Sequence, residues 1–478
     1  MSINDHEKTD LIFMKNQSEP RSSAKEPLIE LKAVGYRAST MRWLALALAC
    51  LNCLGSYFCF DNPQSLQTII IDHFNISSFQ FNLLYSVYAF PNIILPFVGG
   101  IIIDRLGVRV GIALFSFLLI IGQLVFTWGA AVEDFTIMLV GRVIFGLGGE
   151  CLNVAQSVVT TKWFMGKELA LALGATLCVA RLGSSLNSFF APKIYYWTNA
   201  LYAPLLVGAL LCLFSFLIGL GLNYLDKKAD EQEGITGKQE GENVEQVKLS
   251  DLKSLNLIFY LLLFNGFFLY GGFYGLNNNL NDLMVQRFGF TPDTAGNYIP
   301  IIYICAAVFI PLIGAYIDHR GKRALLMIFA CILFVFDHLI TALLPTSDPG
   351  QPNYAMVGIL FGVGMFYASY AAIFWPCIPI VVPEKVQGTA FGIVFSSQNL
   401  MLTIIPLIVG AIHDATEEVK KGYFWTEITL AALALTGLLL TIWIYIEDLK
   451  TDKKLDKPST DQQKISTKKS IARSFVKF

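Results

Sequence analysis

Gly100-Ile-Ile-Ile-Asp104-Arg105-Leu-Gly107-Val-Arg109 and Gly314-Ala-Tyr-Ile-Asp318-His-Arg-Gly321-Lys-Arg323 are one pattern written twice, and each copy joins two long apolar runs. The residue types explain the pattern. A leading glycine lets two helices approach closely, and the aspartate ends a helix at an aqueous face. The second glycine turns the chain, and the arginine reaches carboxylates or a helix end. A second echo lies further along each copy, Arg142-x-x-x-Gly146-x-Gly148 against Gly358-x-x-x-Gly362-x-Gly364. The chain therefore reads as two related halves.

Working outward, the apolar runs are long enough to cross a bilayer, which takes about 20 residues of helix. Twelve such runs are read at 41–60, 80–103, 109–131, 135–160, 168–190, 200–224, 256–276, 296–317, 325–344, 354–381, 389–412 and 424–446. The expected fold is an all-α polytopic membrane protein of twelve transmembrane helices in two pseudo-symmetric six-helix halves. Composition agrees: of 478 residues 54% are hydrophobic and only 15% charged, where soluble domains carry about a quarter charged. The domains read as a cytosolic N-terminal tail (1–40), a first half (41–225), a charged cytosolic linker (226–255), a second half (256–446) and a cytosolic C-terminal tail (447–478). Lys and Arg gather at 105/109, 162/167, 227/228, 320/322/323 and in the C-terminal tail, all on one side, so both termini are expected in the cytosol. No cleavable leader is visible. The opposite loops read as short, the longest near 61–78. Eight of the nine cysteines lie inside spans and read as small packing residues. Cys50 and Cys53 form a CxxC within a span and read the same way. No metal and no cofactor is expected.

Two charges stand inside these runs, Glu150 in the fourth and Arg181 in the fifth. A charge at mid-bilayer costs about 2.5–3.5 kcal/mol on insertion scales. At 1.5 Å per residue Glu150 lies about 16 Å, and Arg181 about 20 Å, from the cytosolic ends of their helices, so both sit near mid-membrane. Asn153 and Ser157 extend the face of Glu150, and Ser184, Ser185 and Ser188 that of Arg181. An acid and a guanidinium at one depth suit a solute with an ammonium and a carboxylate. The competing reading is that they pair and lock two helices together. Arg142 reads as a helix-end anchor or a gate residue. Span seven, with Gly266, Gly271, Gly272 and Gly275 before Asn277-Asn278-Asn279, reads as a discontinuous helix lining a cavity. Asn277 and Asn278 are candidate ligand contacts or luminal caps. Tyr57, Phe60, Tyr274, Tyr367 and Tyr370 are candidate pocket aromatics or packing. Trp375, before Pro376, reads as functional. Asp337-His338 reads as a pair near the luminal headgroups, with a proton relay as the other reading.

The duplicated loop, with the Arg-Gly-Gly pattern of span four, resembles the signature of the major facilitator superfamily over residues 41–446. That resemblance implies alternating access around a midplane site. Gly-Ser-Tyr57-Phe-Cys-Phe60-Asp61-Asn-Pro, Gly148-Gly149-Glu150, Gly166-Lys167-Glu168, Ala180-Arg181-Leu-Gly183-Ser and Phe374-Trp375-Pro376 are similar to the lysosomal dipeptide carriers within it. The closer resemblance implies uniport of dipeptides out of the lysosome, with a glycosylated lysosomal membrane protein as accessory subunit. It also implies that Glu150 receives the amine, Arg181 the carboxylate, and that Trp375 closes the pocket.

Absent motifs narrow the classes. No phosphate-binding GxxxxGK[ST] loop, zinc site or nucleophile elbow occurs, so no enzyme and no ATP-driven pump is expected. Nucleic acid is not an expected partner; membrane lipid is. The acid-rich first-span motif of proton-coupled peptide carriers and the span-five motif of drug antiporters are missing. A proton-coupled carrier of organic anions or amino acids stays the alternative within the fold, and a non-transporting nutrient receptor the alternative outside it. Glu7-Lys-Thr-Asp-Leu11-Ile12 fits an acidic dileucine signal, read by a clathrin adaptor, and points to the lysosomal membrane. Asn75-Ile-Ser77 is the sole luminal glycosylation sequon, set close against span two.

Overall fold

The computed structural model describes residues 36–164, 169–233, 255–383, 386–451 and 453–458. Among them every regular element is helical. The first half comprises α1 (Met41–Asn52), α2 (Leu54–Phe60), α3 (Asn62–Ser65), α4 (Gln67–Phe74), α5 (Ser78–Ala89), α6 (Leu95–Leu106), α7 (Val108–Ala131), α8 (Phe135–Phe164), α9 (Leu169–Thr198) and α10 (Tyr202–Gln232). The second comprises α11 (Leu257–Asp282), α12 (Pro292–Tyr298), α13 (Pro300–Arg320), α14 (Arg323–Leu343), α15 (Ala355–Val381), α16 (Gln387–Ala415) and α17 (Tyr423–Lys450).

Ten of the helical stretches are long and apolar enough to cross a membrane. The second and fifth expected spans do not meet that measure. α9 is 30 residues long and carries Arg181 and its serines. The second span is two shorter helices, α5 and α6, broken by a turn at Pro91–Ile93. Proline there removes a backbone donor, and beside it the Asn92 side-chain amide donates to the carbonyls of Tyr88 (2.9 Å) and Gly146 (3.0 Å).

Small residues set the closest packing. A side chain at Gly122 would run into the backbone of Phe145, and one at Gly141 into that of Phe126, so α7 and α8 touch almost backbone to backbone. In lipid, where apolar burial drives helices together weakly, such contact is the main source of association. α14 and α17, and α13 and α15, pack closely in the second half.

Two expectations are corrected. The stretch 61–78 is mostly helix, α3 and α4, with Asp61, Asn62, Gln64, Ser65, Gln67 and Thr68 all buried. It folds back into the molecule, where Asn62 accepts from Asn187, Gln67 donates to Asn279 and Thr68 donates to Asp282. Span seven is one continuous helix through its glycines and asparagines. The glycines admit side chains of neighbours, Phe374 at Gly266, Met401 at Gly271, Phe334 at Gly272 and Leu430 at Gly275. Asp337 and His338, six and five residues before the end of α14, are buried inside the second half, at 6% and 1% exposure. In addition, α10 runs on to Gln232, past the boundary at which the linker was expected, because its end is pinned by cations described below.

Candidate functional site

Both arginine-bearing loops turn at a glycine in the left-handed region, Gly107 at φ 88° and Gly321 at φ 69°. In the first, Arg109 Nε donates to Asp226 Oδ2 at 2.8 Å and its Nη2 reaches Asp230. Lys162, at 3.0 Å, and Arg37 join the same two carboxylates, and the Trp163 indole donates to Asp226 Oδ1 at 3.0 Å. In the second, the amides of Lys322 and Arg323 donate to the carbonyls of Asp456 and Leu455 at 3.1 and 3.2 Å. Arg323 Nη1 donates to the Lys457 carbonyl at 2.8 Å, and Arg323 pairs with Asp318 at 3.6 Å. Gly314 lies in α13; Gly100, Asp104 and Arg105 lie in α6, with Arg105 exposed and the Asp104 side chain outside the described set. Glu7, Leu11 and Ile12 lie outside the described residues.

Glu150 and Arg181 face a common aromatic cluster. The side chains of Tyr88 and Asn153 face the Glu150 carboxylate. Gly149 keeps that approach open, since a side chain there would meet the Tyr88 hydroxyl. Arg181 Nη2 donates to the Tyr367 hydroxyl, across the boundary between halves. Its guanidinium lies 5.0 Å from the Tyr367 ring centre and 5.7 Å from that of Tyr57. Phe273, stacked on Tyr367 at 4.3 Å, fixes that ring. Tyr57 and Tyr274 lie near both charges. Among the described residues no ion pair joins Glu150 to Arg181, so each charge rests on tyrosines instead of on the other.

The other expected site residues sit further off. Trp375 packs among Tyr270 (6.3 Å), Phe391 (6.4 Å) and Phe395 (5.1 Å), and connects to Tyr274 through Tyr270. Asn277 accepts from the Tyr303 hydroxyl at 3.1 Å, whereas the Asn278 amide is fully buried with no partner. Neither caps a helix end, since α11 continues beyond both. Tyr370 donates to Asn265 at 2.8 Å inside the second half. Arg142 is fully buried, donating to the carbonyls of Leu84, Cys59 and Phe60 at 3.2–3.3 Å, and ringed by Phe60, Tyr85, Tyr88, Phe126 and Phe145. The cysteines among the described residues are free. Tyr88 and Tyr303 were not marked in sequence, because neither breaks an apolar pattern.

On the face of residues 61–82 the halves are bolted together. Gln67 donates to Asn279 at 2.9 Å, Thr68 to Asp282 at 3.0 Å and Asn82 to Asn279 at 3.0 Å. Asp414 accepts from the amides of Ser78 and Phe79, both at 2.9 Å, and Lys193 pairs with Asp293 at 3.1 Å. Toward the opposite face, among the described residues, the crossing hydrogen bonds are Ser396 to the Ile93 carbonyl at 2.7 Å and Cys178 to that of Ala307 at 3.8 Å.

Residues 44–280 and 262–477 each match the family profile described as Major Facilitator Superfamily. The chain is 34% identical over 417 residues to a zebrafish (Danio rerio) protein named "Lysosomal dipeptide transporter MFSD1", covering 85% of this chain and 87% of that one. The human (Homo sapiens) protein of that name is 34% identical over 415 residues, covering 85% and 86%. Among solved structures, the nucleoside transporter NupG superposes with TM-score 0.68 at 11% identity, covering 84% of this chain and 100% of that one. A bacterial homologue of the human drug peptide transporters PepT1 and PepT2 superposes with TM-score 0.62 at 15% identity, covering 84% and 98%. At those identities the superpositions show the fold alone.

Proposed function

Since the chain belongs to the major facilitator superfamily, we propose that this multi-pass membrane transporter exports dipeptides from the lysosome by alternating access, as a uniporter. Glu150 takes the ammonium end and Arg181 the carboxylate end. Tyr57, Asn277 and Asn278 border the path, and Trp375 closes it. One observation carries the reading. An acid and a base, both carried by the first half, face one tyrosine cluster drawn from both halves yet, among the described residues, do not pair, so both are held ready for an outside partner. A solute with charged ends satisfies both at once, which offsets the cost of keeping two charges in the membrane. Contacts confined to the two termini and the backbone leave the peptide side chains unread, so a broad range of dipeptides is expected.

The dipeptide reading is also supported by the names of the relatives. The one-sided bolting supports a conformer closed to the lumen and parted toward the cytosol. The two repeated loops, through Gly100, Asp104, Arg105, Gly107, Arg109, Gly314, Asp318, Gly321 and Arg323, then act as conformational latches on the cytosolic rim. Under this reading both termini are cytosolic, Glu7, Leu11 and Ile12 recruit a clathrin adaptor, and a glycosylated membrane protein shields the luminal loops.

Thermal-shift measurement of purified protein against dipeptides, free amino acids and carboxylates tests the site. Stabilisation is expected with dipeptides, and it disappears in Glu150→Ala and in Arg181→Ala while both still melt cooperatively. Full stabilisation in either variant overturns the assignment. Proteoliposome uptake that demands an imposed proton gradient overturns uniport.

A further inference from the structure

Away from the Glu150–Arg181 cluster, the seam between the halves carries a cavity that the transport reading does not use. It has a volume of about 450 Å³ and is lined by Lys193, Tyr196 and Trp197 of α9 and by Thr291 and Asp293 at the start of α12. One turn on, α9 and α12 touch closely, since a side chain at Gly296 would run into the Ser188 carbonyl. Lys193 Nζ lies 3.1 Å from Asp293 Oδ1, donates to Asn297 Oδ1 at 2.7 Å and sits 4.0 Å from the ring centre of Phe189. One wall of the cavity thus offers a cation and the other an acid, and the two walls belong to different halves.

α9 also sets the level of the cavity in the membrane. Leu182, Leu186 and Phe189 form an exposed apolar stripe, and Lys193 and Trp197 continue the same helix face. α13, packed against α9, exposes Ile304, Val308 and Leu312. Stripes of this kind face acyl chains, and the Tyr and Trp that end the one on α9 mark the headgroup level. Trp197 is 76% exposed. An indole so open is costly in water and favoured among headgroups. Across the cavity the Asp293 side chain is 39% exposed, so its carboxylate can be reached. An ion pair this open fastens the halves only weakly by itself.

We propose that this cavity binds the headgroup of a membrane phospholipid bearing an ammonium, and that the bound lipid strengthens the seal between the halves on this face. The ammonium lies by the Asp293 carboxylate, against the faces of Trp197 and Tyr196, whose ring electrons attract a cation. The phosphate lies by Lys193. Headgroup and ion pair then alternate in sign around one ring of four charges. The acyl chains follow the stripe of Leu182, Leu186 and Phe189. A free solute with the same two charges has no use for that stripe, which favours a lipid. Parting the halves here pulls Lys193 from Asp293 and splits the site. A ligand of the sealed form alone shifts the population toward that form. Nothing in the proposal depends on which solute the Glu150–Arg181 cluster takes.

The test needs no substrate. Full-length protein is placed in nanodiscs holding phosphatidylethanolamine and phosphatidylglycerol of the same acyl chains in equal amounts, then released for native mass spectrometry. It is expected to retain phosphatidylethanolamine severalfold over phosphatidylglycerol, and Trp197→Ala and Asp293→Asn are each expected to lose that preference. Soluble glycerophosphoethanolamine at the lipid's own concentration is expected to leave the lipid in place; displacement would make the ligand a free solute and overturn the lipid. In nanodiscs of one lipid, a cysteine at the buried Ser65 is labelled with an impermeant maleimide over the background of the native thiols. Labelling is expected to rise severalfold when phosphatidylglycerol replaces phosphatidylethanolamine, and to be indifferent to the lipid in Trp197→Ala. Equal retention of the two lipids, a kept preference in either variant, or labelling blind to the lipid in the unsubstituted protein overturns the proposal. Failure of dipeptides to bind leaves these readouts intact, so the two readings fail separately.

Discussion

At the residue scale the site rests on single hydroxyl groups. Tyr367 takes a donor from Arg181 while stacking on Phe273, so Tyr367→Phe keeps the stack and removes only the acceptor. The expected result is dipeptide affinity about tenfold weaker by calorimetry, the lower range for a hydrogen bond to a charged group, with melting temperature little changed. Arg142 behaves in the opposite manner. Its guanidinium satisfies three carbonyls among five aromatic rings and meets the site only through the ring of Tyr88. Arg142→Met is expected to lower the melting temperature, by the roughly 1–3 kcal/mol that each orphaned carbonyl costs, and to leave affinity in the folded fraction alone. Both arginines look alike in sequence, as lone charges in apolar runs. Depth and spacing singled out Arg181 and its neighbour helix. What separates the two roles is whether backbone carbonyls of other helices converge on the guanidinium, and no local pattern encodes that.

At the element scale the repeated loops were legible because their chemistry is local: a glycine that must turn, an arginine that must find carboxylates. Their partners were not. Asp226 and Asp230 look like the start of a linker, and only the convergence of Arg37, Arg109 and Lys162 makes them the end of a helix. Span seven failed as a discontinuous helix for a related reason. Glycine weakens a helix in water, whereas here each glycine receives a neighbour's side chain and the ladder is kept. The second span shows the converse, since Pro91 does break the helix and the Asn92 amide ties the break to the Tyr88 and Gly146 carbonyls. Asn92→Ala removes both donations and is expected to cost about 1–2 kcal/mol, seen as a lower melting temperature with the span count unchanged.

At the scale of the whole molecule, twelve spans and two halves followed from apolar length and repetition, which need no tertiary knowledge. The state of the molecule did not. The seal is built by pairs such as Gln67–Asn279 and Thr68–Asp282, whose members are over 200 positions apart. One glycine gives access to it: a side chain at Gly410 would press on the Phe79 backbone at 2.6–2.8 Å. Gly410→Leu is expected to hold the halves apart on that face, raising maleimide labelling of a cysteine at Ser65 severalfold and slowing dipeptide export. Unaltered labelling would show that α5 and α16 part without this contact.

The two repeated loops differ in where each borrows its fastener. The first-half carboxylates are clasped by Arg37, upstream of the first span, and the second-half loop is strapped by Leu455–Lys457, downstream of the last. Trimming one end of the polypeptide should therefore lame one lobe and spare its twin. A fluorescent reporter fused at either terminus would tug on a hinge as well as report its position.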